Sequence, residues 1–180
     1  MEMVVSIGLF VAVILAATQI FSMVLEGQRS AISSQNIQGS VRYLLEIMSR
    51  EVRTAQISEH ECESLFASPP TADYKVYNET QLNGEEALYF KNQEGECVAY
   101  YVSPNNTLMI QRETDIASTT PDDLRVNNLE VDIEGVEIGT FHDIQPRATL
   151  LMEVSSRKSR GAGQKEMKIQ TTISSRNYRD

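Results

Sequence analysis

The stretch MVVSIGLFVAVILAATQIFSMVL, residues 3 to 25, holds 23 consecutive residues without a charged side chain. A helix needs about 20 predominantly apolar residues to cross a bilayer, so this segment is long enough to span one. It is preceded by Glu2, and no Lys or Arg occurs before Arg29. A cleaved secretory signal carries a basic start, a shorter apolar core and a small-residue cleavage site, so cleavage within this segment is not expected. Ser6, Gly8, Thr18, Gln19 and Ser22 interrupt the apolar run. They are residue types that either let helices approach one another or are simply tolerated in membrane helices. Glu2 lies where the positive end of a helix dipole stabilises a carboxylate. It reads as an N-terminal cap or as a charge that must find a partner once the helix is enclosed by others, because ionisable groups in hydrocarbon are costly unless paired. Neither flank has the Lys and Arg asymmetry that sets orientation.

The helix is predicted to continue past the apolar run. No proline occurs before Pro69, and no strong stop signal lies between Glu26 and Gln56. Gly27 and Gly39 weaken a helix by about 1 kcal/mol each relative to alanine without ending it. Ile37, Val41, Leu44, Leu45, Met48, Val52 and Ala55 step by three and four, which places them on one face. Arg42, Glu46, Arg50 and Arg53 occupy the other. Such a stripe needs a partner surface. A helix from Met3 to Ile57 would be about 80 Å long at 1.5 Å per residue, so its first half must project from the domain.

Residues 58–86 read as an irregular loop, with Pro69, Pro70 and many small polar residues, and with one short strand around Lys75 to Asn78. Three strand-like runs follow, Ala87 to Lys91, Cys97 to Ser103 and Thr107 to Arg112, joined by NQEGE and PNN. Their short turn-type linkers predict an antiparallel meander. Leu129, Val131 and Ile133 alternate with Glu130, Asp132 and Glu134, as half-buried strands do. Ala148, Leu150, Met152 and Val154 alternate likewise, as do Met167, Ile169, Thr171 and Ile173 after the polar turn SRGAGQK. One apolar sheet face and one apolar helix stripe bury each other most simply by packing together. The expected fold is therefore α+β, with residues 1–25 as a transmembrane helix half, 26–57 as its amphipathic continuation and 58–180 as an antiparallel sheet domain.

At 180 residues, one domain with an appendage accounts for the chain. Net charge is −9, with the acidic residues scattered and no basic stripe, which argues against nucleic-acid binding and suits a soluble exported domain. Cys62 and Cys97 are the only cysteines and lack C-x-x-C spacing, leaving a disulfide or two plain thiols. SRGAGQK does not satisfy the phosphate-loop pattern. EHECE at 59 to 63 contains His60 and Cys62, but residues so close in sequence cannot all face one ion without a special loop, and a solvated loop is the simpler reading. His142 has no nucleophile or orienting carboxylate at recognisable spacing. No metal, cofactor or catalytic residue is expected. NET at 78 to 80 and NNT at 105 to 107 match the N-glycosylation triplet, which is short enough to arise by chance.

Glu2 followed by MVVSIGLFVAVILAA resembles the prepilin cleavage and methylation region of the type IV pilin and pseudopilin superfamily. VRYLLEIMSREVRTAQ at 41 to 56 and KIQTTISSRNY at 168 to 178, with Arg176 and Asn177, are similar to the corresponding parts of J-type minor pseudopilins of type II secretion. The resemblance implies a long N-terminal helix on an antiparallel sheet. It also implies a membrane-stored subunit of the inner membrane, domain outside the cytoplasm, that is extracted and stacked into a filament. Partners would be the lipid bilayer, other pilin-like subunits, inner-membrane assembly machinery and, if a leader exists, a prepilin peptidase. Glu2 would set register against a neighbouring subunit's amine. The basic leader and the glycine before the cut are not in this sequence, which puts that amine in question. The competing expectations are a signal-anchored binding module that never polymerises and, more remotely, an anchored enzyme.

Overall fold

The computed structural model describes residues 2–56, 62–66, 76–82, 84–135, 145–157 and 166–176. Ile57, His60, Lys75, His142, the SRGAGQK turn and Asn177 lie outside the described residues. A single helix, α1 (Glu2–Arg53), runs for 52 residues, about 78 Å. It stops a few residues before the expected Ile57, for a tertiary reason. Tyr77 Oη donates to the Val52 carbonyl at 2.9 Å and the Arg176 N–H donates to the Arg53 carbonyl at 2.9 Å. These two acceptors belong to the group that every helix C-terminus leaves open. The chain then turns onto the sheet, where Gln56 N–H donates to the Lys91 carbonyl at 2.8 Å.

The strands form two antiparallel sheets rather than one. A five-stranded meander comprises β1 (Asn78–Leu82), β2 (Glu85–Lys91), β3 (Cys97–Ser103), β4 (Thr107–Arg112) and β5 (Asp115–Ser118) in that order. A three-stranded sheet comprises β6 (Leu124–Glu134), β7 (Arg147–Ser156) and β8 (Glu166–Ser174). The described fold is α+β, one long N-terminal apolar helix packed against antiparallel sheets. The loop expected over residues 58–86 needs correction, because it contains the short helix α2 (Glu63–Phe66), all of β1 and the first residues of β2. Both added strands of the meander are sheet edges: β5 buries nothing and β1 buries only Asn78 fully. Neither therefore carries the apolar alternation from which strands are read. Between β3 and β4, Asn106 adopts φ 57°, a left-handed turn position that asparagine tolerates.

The core is shared by three layers. Ile37, Val41, Leu44, Met48, Val52 and Ala55 of α1 and the residues after it meet Leu88, Phe90, Val98, Tyr100, Val102, Leu108 and Ile110 of the meander. They also meet Leu124, Val126, Leu129, Val131, Ala148, Leu150, Met152, Val154 and Ile173 of the three-stranded sheet. Leu45, Ile133, Met167 and Ile169 are partly buried against this cluster. Each fully buried side chain of this kind contributes about 1.5–3 kcal/mol by leaving water. The two sheets are tied at their margins, where Val126 N–H donates to the Asn106 carbonyl at 3.0 Å and Val131 N–H donates to Glu86 Oε2 at 2.9 Å. β3 is covered on both faces, because its alternate residues Cys97 and Ala99 enter a second cluster with Cys62, Phe66 and Tyr89.

Leu44 is fully buried at the centre of the helix stripe. Leu44→Ala therefore lowers unfolding free energy by about 2–5 kcal/mol through lost transfer energy and a residual cavity, measurable as a shifted denaturant midpoint at unchanged slope.

Candidate functional site

The candidate site is α1 itself, exposed at one end and locked at the other. Residues 2–24 are all exposed, Phe10 at 66% and Phe21 at 65% among them. This one N-terminal helix is long and apolar enough to span a membrane. Water-soluble proteins seldom expose contiguous apolar surface beyond a few hundred Å², whereas a helix satisfies its own backbone and so tolerates an apolar medium. The hydroxyls of its exposed apolar end, residues 2–24, are satisfied too. Ser6 Oγ donates to the Glu2 carbonyl at 2.9 Å, Thr18 Oγ1 to the Ile14 carbonyl at 2.9 Å and Ser22 Oγ to the Gln19 carbonyl at 2.8 Å. Glu2 occupies the first turn of α1 and is exposed. Its carboxylate suits the helix dipole there. A Cβ added at Gly8, Gly27 or Gly39 would meet nothing within 4 Å, so no packing inside the subunit calls for a glycine at these positions.

The second half of α1 is held by apolar and polar contacts. Of the stripe read from the sequence, Ile37, Val41, Leu44, Met48 and Val52 are buried and Leu45 is partly buried. Glu51 joins the helix to the meander: Arg112 Nη2 donates to its Oε1 at 2.8 Å, and Tyr100 Oη donates to its Oε2. Farther along the seat, Ser40 Oγ donates to Asp123 Oδ1 at 3.2 Å. Glu51 and Tyr77 were not legible as anchors. Glu51 sits among Arg50 and Arg53 like any solvated helix charge, and only the sheet's position brings Tyr100 and Arg112 to it. Burial pushes the Tyr77 hydroxyl from 10.0 up to about 12, opposed by a hydrogen bond with Ser175. Tyr100 is also raised well above its ordinary value, first by burial and then by the Glu51 carboxylate.

Cys62 and Cys97 are joined in a disulfide with Cα atoms 5.2 Å apart. It pins α2 to the back of β3, where the Phe66 and Tyr89 rings lie 5.8 Å apart. Cys62 is therefore not a free thiolate that could bind metal beside His60. Among the described residues no group of three or more His, Cys, Asp and Glu is placed to hold an ion. Comparison with known protein families, with curated proteins and with solved structures finds no match to this chain.

The tyrosines impose an alkaline limit. Below pH 10 Tyr77 is protonated both folded and unfolded; above it the unfolded chain ionises first, because the folded value is raised to about 12. The stabilisation is thus fully present below pH 10 and lost as pH rises through about 12. Urea unfolding at stepped pH shows a falling midpoint across that window, and Tyr77→Phe, although less stable at neutral pH, shows a shallower fall.

Proposed function

We propose that this chain is a non-enzymatic filament subunit of the pilin and pseudopilin type, resembling minor pseudopilins, and that it is stored as a single-pass protein of the cytoplasmic membrane. The observation that carries this reading is the continuity of α1. Its exposed apolar half and its core-forming half are one helix from Glu2 to Arg53. A tether for a binding module needs about 20 apolar residues and can end in a flexible linker. A rigid rod fixed in the domain core instead transmits position between the apolar end and the folded head, as stacking of subunits requires. Transfer of the rod from lipid into a bundle of like helices exchanges one apolar medium for another and is not strongly uphill.

Two further features support the reading. Glu2 stands at the head of the rod, where enclosure by neighbouring helices demands a cationic partner and so penalises wrong register. The disulfide suits a domain facing an oxidising compartment, which supports an extracytoplasmic head. Other pilin-like subunits and a membrane assembly machine are the implied partners.

Glu2→Ala in the full chain, expressed in its host membrane, separates this reading from an anchored binding module. Cross-linked multimers are expected to disappear while membrane retention and the Cys62–Cys97 bond persist. If wild type forms no multimers, or the variant forms them equally well, the chain is an anchored module instead.

A further inference from the structure

We propose that the outward face of α1 between Arg42 and Arg53 docks on the outward face of the three-stranded sheet of a second copy of this chain, an inference that rests on the filament reading and specifies one of its contacts. On a chain of net charge −9, this stretch of helix points three arginines to solvent. Arg42, Arg50 and Arg53 are exposed, and none forms an ion pair among the described residues. Glu46 is the one acidic residue on the same exposed side. Between the arginines Tyr43 is 58% exposed, a large amphipathic ring of the kind that anchors interfaces. Gly39, one turn earlier, leaves open space for a neighbour to approach.

Lipid headgroups do not match this strip. Arg42 lies 17 residues beyond Leu25, about 26 Å along the helix, while surface charge is screened within about 8 Å at physiological ionic strength. A second copy of the same strip does not match either, because a two-fold contact would oppose arginine to arginine. The complementary charge is on β6. Glu130 and Asp132 are exposed on the outward side of that strand, and neither is in an ion pair among the described residues, although Glu130 accepts a hydrogen bond from Asn128 Nδ2 at 3.1 Å and also feels the charge of Lys168. By contrast Glu134 is paired with Arg147 and Glu153 with Lys168. Leu151 lies opposite Glu130 in the β6–β7 register and is only half-buried, which provides apolar surface for Tyr43. β7 and β8 lie on the inner side of α1, so the basic strip and the acidic face look in opposite directions. A contact between unlike faces is heterologous, the class of contact from which open helical filaments are built when its rotation does not close a ring.

The test replaces Tyr43 by p-benzoylphenylalanine in the full chain, mixes isotopically heavy and light copies in vesicles of phosphatidylethanolamine and phosphatidylglycerol, and maps heavy–light cross-links by mass spectrometry. Links from position 43 to the segment around Glu130 and Asp132 are expected. Arg50→Glu with Arg53→Glu is expected to lower their yield about tenfold through like-charge repulsion, and Glu130→Arg with Asp132→Arg to restore it. Formation of the Cys62–Cys97 bond reports folding; should the reversed pair misfold, Arg50→Gln with Arg53→Gln removes the charges more gently and must still lower the yield. Links that run from position 43 to another α1, or that ignore the charge changes, overturn this contact. The same probe at Phe10 keeps the two readings apart. No heavy–light link to β6 sinks the contact alone; the filament reading falls with it when Phe10, probed in the host membrane, links neither to a second copy nor to another pilin-like subunit.

Discussion

Everything in this structure depends on burying the stripe from Ile37 to Ala55. The helix presents that stripe to two sheets at once, and each sheet has an inner face that water would otherwise reach. Removing the helix would uncover Leu88, Phe90, Val98 and Tyr100 on one side and Leu150, Met152 and Val154 on the other. Interiors are close-packed and tolerate few voids, so no rearrangement of two small sheets compensates for a missing layer. The helix is at once the appendage and the keystone of the domain.

That double role explains where the polar anchors sit. The Val52 and Arg53 carbonyls, open at the helix end, are taken by Tyr77 and by the backbone of Arg176. Glu51 draws Tyr100 and Arg112 from the meander. A partly buried carboxylate with two donors fixes the angle and rotation of the rod more sharply than apolar packing does, since hydrogen bonds are directional. Small rotations at the seat become large displacements at the free end of a rod about 78 Å long, so these anchors decide where the exposed apolar end of the helix lies relative to the domain.

The back of the meander follows a different logic. β3 is buried on both faces, and among the described residues the layer behind it is a four-residue helix. So short a helix is marginal by itself, and the cover is held by the Cys62–Cys97 bond and by Phe66 on Tyr89. A covalent link does locally what a larger apolar interface does on the helix side.

What the sequence by itself determined follows from local pattern: the uncharged run from Met3 to Leu25, the stripe stepping from Ile37 to Ala55, the strand-like runs between short turns that became β2, β3 and β4, and the alternating runs that became β6, β7 and β8. Those patterns are local, because the period of a helix or strand is written along the chain. Tertiary structure alone decided the rest. Whether six or more strands make one sheet or two depends on pairing between distant segments, and β1 and β5, as edges, bury too little to leave a pattern. Whether Cys62 and Cys97 are bonded depends on a 5.2 Å approach across 35 residues of sequence separation. Glu51, one more charge in an arginine-rich turn, becomes an anchor only because the fold carries Tyr100 and Arg112 to it. Electrostatic and covalent partners far apart in sequence are matched by position in space, and no spacing rule along the chain encodes that.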